Sequence, residues 1–486
     1  MFLEELIKDA NPIEICGDTK KDIKGIKYDS RNVTAGDLFV CVTGFKTDGH
    51  LYVHSAVKNG AIAILAEKDL EVPQNVTLIK VADTRVAMAD LAARFYGNPS
   101  SKLKLIGVTG TNGKTTTTHL IKKILEEAGY TVGLLGTISN MIGNEVLPAE
   151  RTTPEAPDLQ FLLHKMVNKG AHYAVMEVSS HALQLYRVRG CKFRSAVFTN
   201  ISQDHLDFHE SMEEYVDEKK KLFAMLSSSS ENYGLVNNDD LYHQHFEEAS
   251  KVPVFKYAVD GSGDFKAQEV DVKPQGVSYT AFYPGGKISL NLKLTGLFSV
   301  YNSLAAFAVG FKEGIAPEII KKALENITGV PGRFEKVECN QDFTVIVDYA
   351  HTPDSLKNVL ETAKDFAKRR IITVFGCGGD RDRTKRPLMG EAAALNSDIC
   401  VVTSDNPRSE DPEAIIEDII PGVKKHTNSF KIEVDRKKAI KLALEMAQKN
   451  DIVIIAGKGH ETYQEINGKK LPFDDKEVVK SILSER

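Results

Sequence analysis

The stretch Leu103-Lys104-Leu105-Ile106-Gly107-Val108-Thr109-Gly110-Thr111-Asn112-Gly113-Lys114-Thr115-Thr116 decides the fold. It predicts a strand, then a glycine-rich turn, then a helix over residues 117–128. Glycines let backbone N–H groups approach phosphate oxygens, and the start of a helix adds partial positive charge. Lys114 can reach the β- and γ-phosphates of a nucleotide, and the Thr115 hydroxyl suits Mg²⁺. The stretch therefore predicts a phosphate-binding loop.

A phosphate-binding loop does not by itself define a reaction. A kinase, a switch GTPase and a ligase all handle a γ-phosphate, and a chance Gly-Lys-Thr in an ordinary strand-turn-helix is a further alternative. Five residues separate Gly107 from Gly113, where the usual loop has four. The chain contains no Asn-Lys-x-Asp tetrapeptide, the usual guanine-reading sequence, which disfavours the GTPase.

Two turn-rich breaks flank the region that carries this loop. They are Gly97-Asn98-Pro99-Ser100-Ser101 and Val330-Pro331-Gly332-Arg333. The region between them alternates strands and helices, with a β-rich stretch near 252–294, and this alternation indicates a mainly parallel sheet. We therefore predict an α/β protein of three domains, at residues 1–98, 99–330 and 331–486.

The last domain contains four apolar runs, each followed by a polar loop. The runs lie at 343–347, 371–375, 399–403 and 452–456. The first three loops lead into helix-like stretches. Ligands of open α/β sheets bind at the carboxyl ends of the strands. The four loops are therefore expected to form one shared site.

The composition is that of a soluble globular protein, with 42% hydrophobic and 27% charged residues and a net charge of −5. This charge argues against a nucleic-acid binder. Six scattered cysteines without a CxxC pair indicate reduced thiols and hence a cytoplasmic location. The acidic N-terminus and the lack of long apolar runs predict neither a signal peptide nor a membrane span.

Several short motifs, in order along nearly the whole chain, resemble those of the Mur ligase family, which also includes folylpolyglutamate synthetases. Each motif is weak alone, but the ordered set is specific. Besides the variant loop at 110–116, the set comprises Tyr28-Asp29-Ser30-Arg31, Arg151-Thr152-Thr153-Pro154, Glu177-Val178-Ser179-Ser180-His181, Thr199-Asn200-Ile201-Ser202-Gln203-Asp204-His205-Leu206-Asp207, Asn302, Pro331-Gly332-Arg333-Phe334-Glu335 and Asp348-Tyr349-Ala350-His351-Thr352-Pro353.

The resemblance implies an N-terminal uridine-nucleotide-binding domain, a central P-loop ATPase domain and a Rossmann-like C-terminal domain. It also implies a reaction in which ATP phosphorylates a carboxylate of a UDP-muramoyl peptide and an amino group then displaces phosphate. The ATP contacts would be Gly110, Thr111, Asn112, Gly113, Lys114, Thr115, Thr116, Asn302, Arg333 and Asp348. The UDP-muramoyl contacts would be Ser30, Thr152, Thr153, Ser179 and Arg187.

The resemblance further implies a Mg²⁺ site at Thr115, Glu177, His205 and a carbamate on Lys219, with Lys114, Lys219 and His205 as catalytic residues. Carboxylate and imidazole are suitable metal ligands by type. Residue type alone leaves the alternatives open: Glu177 is equally a solvated strand-end carboxylate, and His205 a hydrogen-bonded structural histidine.

Lys219 lies on the apolar stripe of a predicted helix over residues 211–227. Ser211 and Glu214 have the spacing of a capping box. Met212 and Tyr215 lie seven and four residues before Lys219, at helical spacing, whereas the next two lysines point elsewhere. One interpretation is a lysine whose ammonium reaches the rim. The other, implied by the family, is a carbamate formed from CO₂, for which a desolvated lysine of lowered pKa is suited.

The loops of the last domain carry charges that suit an amino acid. Arg381 and Arg408 offer planar forks for carboxylates, while Asp405 and Glu461 can receive ammonium groups. The alternative is ordinary surface pairing. Asp405-Asn406-Pro407-Arg408 resembles the signature of the diaminopimelate-adding branch, and lysine-adding members lack the arginine. The expected contacts are Arg381, Asp405, Asn406, Pro407, Arg408, Gly457 and Glu461.

The resemblance therefore implies an ATP-dependent ligase that adds meso-2,6-diaminopimelate to the D-glutamate of UDP-N-acetylmuramoyl-L-alanyl-D-glutamate in peptidoglycan synthesis. ADP and phosphate are the expected products, and a monomer with small-molecule partners alone is the expected state. A lysine-adding ligase, a folylpolyglutamate synthetase and a non-catalytic nucleotide-binding switch are the alternatives. The muramoyl-type N-terminal motif argues against the folate enzyme.

Overall fold

Three β-sheets organise the computed structural model, which describes residues 1–45, 47–273, 275–339 and 341–485. The N-terminal elements are α1 (Leu3–Leu6), β1 (Glu14–Cys16), β2 (Gly25–Lys27), β3 (Asp37–Val40), α2 (Val53–Lys58), β4 (Ala63–Ala66), β5 (Thr77–Lys80) and α3 (Thr84–Phe95). The strands form a sheet in the order β1-β5-β4-β3-β2, and only β1 runs antiparallel to its neighbour. Asp29 caps a short 3-10 turn, Ser30–Asn32, in which Ser30 is buried.

The central part holds the largest sheet. Its strands are β6 (Lys104–Thr109), β7 (Val132–Leu135), β8 (Asn140–Ile142), β9 (Glu145–Leu147), β10 (Tyr173–Glu177), β11 (Phe193–Phe198), β12 (Tyr233–Asn237), β13 (Val254–Ala258), β14 (Phe265–Lys273), β15 (Gly276–Tyr283) and β16 (Gly286–Leu292). The order is β16-β15-β14-β13-β12-β11-β6-β10-β7-β8-β9. The strands from β14 to β7 are mutually parallel, and antiparallel hairpins extend both edges.

Helices cover both faces of this sheet. They are α4 (Lys114–Glu127), α5 (Ala156–Asn168), α6 (Ser180–Gln184), α7 (Met212–Ala224), α8 (His243–Ala249), α9 (Leu297–Lys312) and α10 (Pro317–Asn326). On one face α4 and α9 bury Leu120, Ile124 and Leu304 against the strands. On the other, α5 and α7 bury Leu159 and Leu222. Apolar residues at helical spacing thus fix which side of each helix meets the sheet.

The C-terminal part is a second, smaller layered α/β unit. Its elements are β17 (Glu335–Lys336), β18 (Thr344–Asp348), α11 (Pro353–Lys364), β19 (Ile371–Phe375), α12 (Lys385–Asn396), β20 (Ile399–Val402), α13 (Pro412–Lys424), β21 (Phe430–Ile432), α14 (Arg436–Met446), β22 (Ile452–Ala456), β23 (Tyr463–Ile466), β24 (Lys469–Pro472) and α15 (Asp475–Ser484). The sheet order is β17-β18-β22-β19-β20-β21, with only β17 antiparallel. A separate hairpin pairs β23 with β24.

The predicted elements are largely confirmed. The strands β19 and β22 coincide with the apolar runs, whereas β18 and β20 end one residue from them. The helix after the phosphate loop starts at Lys114, three residues before the prediction, because the loop lysine already belongs to its first turn. The three sheets lie within 14–80, 104–292 and 335–456, and the proposed limits at 98 and 330 stay predictions. Across the described residues, no helix is long and apolar enough to cross a membrane.

The predicted helix around Lys219 is shorter than expected, and its cap is half of a capping box. It spans Met212–Ala224, and the Ser211 hydroxyl accepts a hydrogen bond from the Glu214 N–H at 3.2 Å. The Glu214 carboxylate accepts from the N–H of Glu210, at 2.6 Å, one residue earlier than a full box requires.

Candidate active site

The phosphate loop closes tightly around the start of α4. Gly113 has φ +85°, and a Cβ there would lie 2.4 Å from Oδ1 of Asn302, so only glycine fits. The Lys114 ammonium donates to the carbonyl oxygens of Gly110 (2.9 Å) and Thr111 (2.7 Å). The loop therefore holds its own lysine beside the first turn of the helix, where a phosphate would meet backbone N–H groups.

A cavity of about 700 Å³ borders the loop and lies between the central and C-terminal domains. Of the predicted ATP contacts, Asn112, Gly113, Thr115, Thr116, Asn302, Arg333 and Asp348 line it. Its walls also include residues that the sequence did not single out, Phe298, Tyr301, Asp354 and Asn358. Two aromatic rings near polar side chains suit a nucleobase.

Two hydrogen bonds join the domains across this cavity. The Arg333 guanidinium donates to the Thr115 hydroxyl at 2.9 Å, and the Asn112 amide donates to Asp354 at 2.9 Å. Asp348 accepts from the backbone N–H of Phe334 at 2.6 Å, which fixes the segment that carries Arg333. Burial raises the pKa of the Asp348 carboxyl. The C-terminal domain thus supplies one wall of the nucleotide site.

Glu177, at the end of β10, lies beside the loop. Its carboxylate accepts from the Thr115 hydroxyl at 3.0 Å and from both the N–H and the hydroxyl of Thr137 at 2.9 Å. Thr115 and Glu177 are oxygen donors of the kind Mg²⁺ prefers, so these two residues fit the ion. Within the described ranges, no three His, Cys, Asp or Glu side chains converge into a metal-binding group. The predicted site has only two such side chains, Glu177 and His205, so the metal role of His205 stays a prediction.

His205 is held in place by the neighbouring Asp204. It has φ +58°, and the Asp204 carboxylate accepts from its N–H at 2.9 Å and lies 3.3 Å from its Nε2. Desolvation lowers the pKa of His205 well below its usual value. Two basic residues of the C-terminal domain lie close to this loop: Lys385 is 3.7 Å from Asp204, and Arg381 is 3.9 Å from Asp207. The loop that carries His205 is therefore paired with basic groups of the other domain.

Lys219 is buried, with 1% of its surface exposed, so the interpretation of an ammonium at the rim is wrong. Its Nζ donates to the Gly110 carbonyl at 2.8 Å and lies 4.6 Å from the centre of the Tyr215 ring. The Lys114 ammonium shares this carbonyl oxygen. Burial, and then the charge of Lys114, lower the pKa of Lys219 well below the usual lysine value. Two cations at one acceptor are a local excess of positive charge.

Four of the predicted muramoyl contacts converge next to Glu177. The Thr153 hydroxyl donates to the Glu177 carbonyl at 2.8 Å and accepts from the Ser179 N–H at 3.2 Å. The Arg187 guanidinium donates to the Thr153 carbonyl at 3.2 Å, and Thr152 accepts from the Thr137 hydroxyl at 3.1 Å.

The fifth predicted muramoyl contact, Ser30, lies in the N-terminal domain. Nearby, the Tyr28 hydroxyl donates to Asp158 of the central domain at 2.5 Å. The sequence missed Glu155, whose carboxylate pairs with Arg151 (2.5 Å) and Arg187 (2.9 Å) and which no motif distinguished. The N-terminal domain and the muramoyl loops are therefore linked by polar contacts.

The predicted amino-acid contacts come from the loops after β19, β20 and β22. Arg381 and Arg408 flank Gly378, since a Cβ there would lie 3.8 Å from Arg381 Cγ and 2.9 Å from Arg408 Nη1. A Cβ at Gly457 would lie 2.3 Å from an Asp405 oxygen, so these two residues are also adjacent. The three loops therefore lie against one another, although the Arg381 guanidinium reaches toward Asp207 of the central domain, at 3.9 Å. The Asn406 side-chain amide donates to Glu461 at 2.8 Å. Pro407 lies between Asn406 and Arg408 in the chain.

Arg408 is already engaged within the protein. It has φ +53°, its Nη1 donates to the Gly379 carbonyl at 2.7 Å, and its Nε lies 3.4 Å from the Glu465 carboxylate. The β23–β24 hairpin binds its backbone on both sides, through Glu465 and Asn467. The sequence did not predict this hairpin partner, because the polar loop after β22 gave no sign of a turn back toward residue 408.

The fold and site define a P-loop nucleotide-binding protein of three α/β units, with a second polar site in the C-terminal loops. Three family models match it: the Mur ligase family catalytic domain at residues 22–96, the Mur ligase middle domain at 108–310, and the Mur ligase glutamate ligase domain at 332–459. The chain belongs to the Mur ligase family.

Its relatives match over full length. It is 50% identical to the UDP-N-acetylmuramoyl-L-alanyl-D-glutamate--2,6-diaminopimelate ligase of Syntrophomonas wolfei, covering 99% of both chains. It is also 50% identical to the protein of that name from Caldanaerobacter subterraneus, covering 100% of this chain and 99% of the relative. A solved structure of a ligase of that name is 34% identical, with a TM-score of 0.69 and coverage of 100% and 99%.

Proposed function

We propose that this chain is the ATP-dependent ligase that adds meso-2,6-diaminopimelate to UDP-N-acetylmuramoyl-L-alanyl-D-glutamate in peptidoglycan synthesis. The observation that carries the proposal is the convergence of the loops after β19, β20 and β22, which places Arg408 against Gly378, Asp405 against Gly457 and Asn406 on Glu461. Two guanidinium groups and two carboxylates match the amino acid's carboxylates and ammonium groups. The relatives named for this reaction align over the full chain.

The reaction has two balanced steps. First, the D-glutamate side-chain carboxylate attacks the γ-phosphorus of ATP, giving an acyl phosphate and ADP. The amine then attacks the acyl carbon, the carbon–oxygen bond to phosphate breaks, and the nitrogen loses a proton as the amide forms. Both partners are anionic in the first step, so Lys114 and Arg333, which lie at the loop, would offset the repulsion.

Mg²⁺, when bound, would neutralise phosphate charge, and Thr115 and Glu177 are the residues that would hold it. We assign the carbamate to Lys219, because its burial and the nearby Lys114 favour the neutral amine that combines with CO₂. The reaction gives a carbamate anion and releases a proton. The carbamate would replace one of the two cations at the Gly110 carbonyl. The role of His205 as a further Mg²⁺ ligand rests on the family resemblance alone.

Phosphate release by the purified protein tests the proposal directly. ATP, UDP-muramoyl dipeptide and diaminopimelate together should give ADP, phosphate and the tripeptide product by mass spectrometry. Lysine in place of diaminopimelate should give little turnover, and a lysine-adding ligase would show the reverse. ATP hydrolysis that needs neither the dipeptide nor an amino acid would instead support the nucleotide-binding switch. A cytoplasmic location and a monomeric state remain predictions.

Arg408→Ala should strongly reduce the use of diaminopimelate while lysine use changes little. A buried charge that loses its partner costs roughly 3–5 kcal/mol. When lysine binds, Arg408 still has Glu465 as a partner, and 22% of its side chain is exposed. The expected cost in binding free energy is therefore below that range. A preference of roughly 100-fold for diaminopimelate, or about 2.7 kcal/mol, is therefore expected in the unmodified enzyme and should largely disappear in the variant. The measurement is kcat/KM for each amino acid.

Arg383→Ala is the matched control for Arg408→Ala. Arg383 lies in the loop after β19, pairs with Asp418, and has a side chain that is 64% exposed. Its removal should leave the preference unchanged. Equal use of both amino acids by the unmodified enzyme would contradict the specificity assigned to Arg408.

A further inference from the structure

A fully buried lysine lies within the proposed amino-acid pocket. The side chain of Lys458, between two glycines of the loop after β22, has 0% exposure. Its Nζ donates to Asn406 Oδ1 at 3.0 Å and to Glu461 Oε2 at 2.9 Å. The Asn406 amide in turn donates to the same Glu461 oxygen at 2.8 Å. The three side chains form a closed triangle of hydrogen bonds that joins the loops after β20 and β22.

The triangle fixes how two pocket residues face a ligand. Asn406 Oδ1 accepts from Lys458 and from the backbone N–H of Glu465 at 2.9 Å, so its amide nitrogen must point toward Glu461. Glu461 Oε2 already accepts two hydrogen bonds, which leaves its other oxygen for an incoming ammonium. A charged group without exposure to solvent needs such partners. The lysine therefore determines which atoms of both residues remain for a substrate.

The same lysine also changes the charge of the pocket. Arg381, Arg408 and Lys458 bring three positive groups, against the carboxylates of Asp405, Glu461 and Glu465, so removal of the Lys458 charge would leave these groups with a net negative charge. At neutral pH diaminopimelate carries two carboxylates and two ammonium groups and is neutral overall, whereas lysine carries one net positive charge. In a low-dielectric site the Lys458 ammonium repels that extra cation more strongly than it would at the surface. Lys458 thus weakens the attraction of a cationic amino acid to the carboxylates of the pocket, independently of Arg408.

We infer that Lys458 is a positioning and specificity-determining residue for the amino-acid substrate, which orients Asn406 and Glu461 and disfavours cationic amino acids. The inference rests on the proposed function. In this assignment the buried Lys458 ammonium discriminates between amino acids by their charge, and Arg408 recognises the distal carboxylate.

Kinetics of Lys458→Met and Lys458→Gln with diaminopimelate and with lysine test the inference. Hydrogen bonds to charged groups suggest a rise of roughly 10- to 100-fold in KM for diaminopimelate in Lys458→Met, with a smaller rise, or a fall, for lysine. Lys458→Gln keeps a donor without the charge, so it should retain more diaminopimelate affinity yet still lose discrimination. KM for ATP and for the UDP-muramoyl dipeptide should stay within about twofold in both variants, since the triangle residues do not line the cavity at the phosphate loop and are not among the predicted muramoyl contacts.

Lys470→Met is the control, because Lys470 and Lys458 both lie near the Tyr463 ring. Lys470 lies on β24, is exposed, and has its Nζ 4.4 Å from the centre of the Tyr463 ring, over which Lys458 lies at 5.6 Å. This variant should keep the parent preference. If Lys458→Met does not fold, as shown by thermal unfolding, Lys458→Gln decides the question.

A double-mutant cycle separates positioning from mere packing. If Lys458 acts through Glu461, the Lys458→Gln/Glu461→Gln double variant should bind diaminopimelate no worse than Glu461→Gln alone. Fully additive losses, or Lys458 variants with an unchanged preference in an enzyme that uses diaminopimelate, would overturn the inference and leave the proposed function intact. Failure of the unmodified enzyme to use diaminopimelate would instead refute the proposed function.

Discussion

Lys114→Ala is expected to abolish ligation, with a fall of roughly 10³-fold or more in kcat. The Lys114 ammonium lies beside the first turn of α4 and bonds two carbonyls of its own loop, from which it can transfer to phosphate oxygens. These oxygens gain charge as the γ-phosphoryl group moves, and alanine offers no compensating cation. Coupled phosphate-release kinetics, with ADP and AMP resolved by chromatography, measure the effect.

Lys123→Ala provides the comparison for Lys114→Ala. Lys123 belongs to the same helix, is partly exposed, and lies 3.8 Å from Glu127 at its far end. It should keep near-normal turnover, and both variants should unfold at nearly the parent temperature. AMP as the stoichiometric product of the parent enzyme would refute the acyl-phosphate mechanism, whatever the variants do.

Lys219→Ala is expected to lose at least roughly 10²-fold in activity, on the scale of a lost electrostatic contact in a catalytic site. As a carbamate, this side chain would place an anion where Lys114 and the Gly110 carbonyl now meet a second cation. Small carboxylic acids such as formate or acetate should then restore part of the activity, because they can supply the missing anion in the space that alanine opens. The measurement is kcat as a function of added acid.

The neighbouring lysines are matched controls on the same helix. Lys220 pairs with Asp217 at 2.6 Å and Lys221 with Glu218 at 2.5 Å, and neither points into the site. Their alanine variants should be mild and insensitive to carboxylic acids. Intact-protein mass spectrometry under CO₂ gives an independent readout, with an increment of one carbon dioxide that Lys219→Ala lacks. Near-normal activity of Lys219→Ala would refute the carbamate.

The sequence was informative wherever a local pattern has one structural outcome. The strand β22 is an uninterrupted apolar run and β19 is interrupted only by Thr373, so their positions followed directly from composition. The side of α7 on which Lys219 lies followed from the apolar stripe, because side chains three, four and seven residues apart share one side of a helix, but the stripe left open whether its ammonium reaches the rim. The family resemblance implied one common ligand for the four predicted muramoyl contacts of the central domain, although nothing in their spacing required the contact between Thr153 and Glu177.

Contacts between distant loops could not be predicted in this way. The sequence presented Lys458 as one of several polar residues, and only the packing of the loops after β20 and β22 made it a buried cation. Glu155 is likewise an ordinary acidic residue until Arg151 and Arg187 meet its carboxylate. Such pairs depend on the relative position of two elements, which short-range periodicity does not encode. The joint role of Glu177 and His205 at a metal, which the family resemblance implies, stays a prediction.

The segment between α10 and β17 has a consequence for nucleotide affinity. It comprises residues 327–334 and carries Arg333, whose guanidinium reaches Thr115 in the other domain. In the proposed complex, ATP would be held from two sides, by the phosphate loop and by a second wall that is tethered through this segment. The tether sets the effective concentration of that wall, which falls as the linker lengthens. We therefore expect the affinity for ATP to depend on the length of the chain before Arg333, at residues that do not line the cavity beside the phosphate loop.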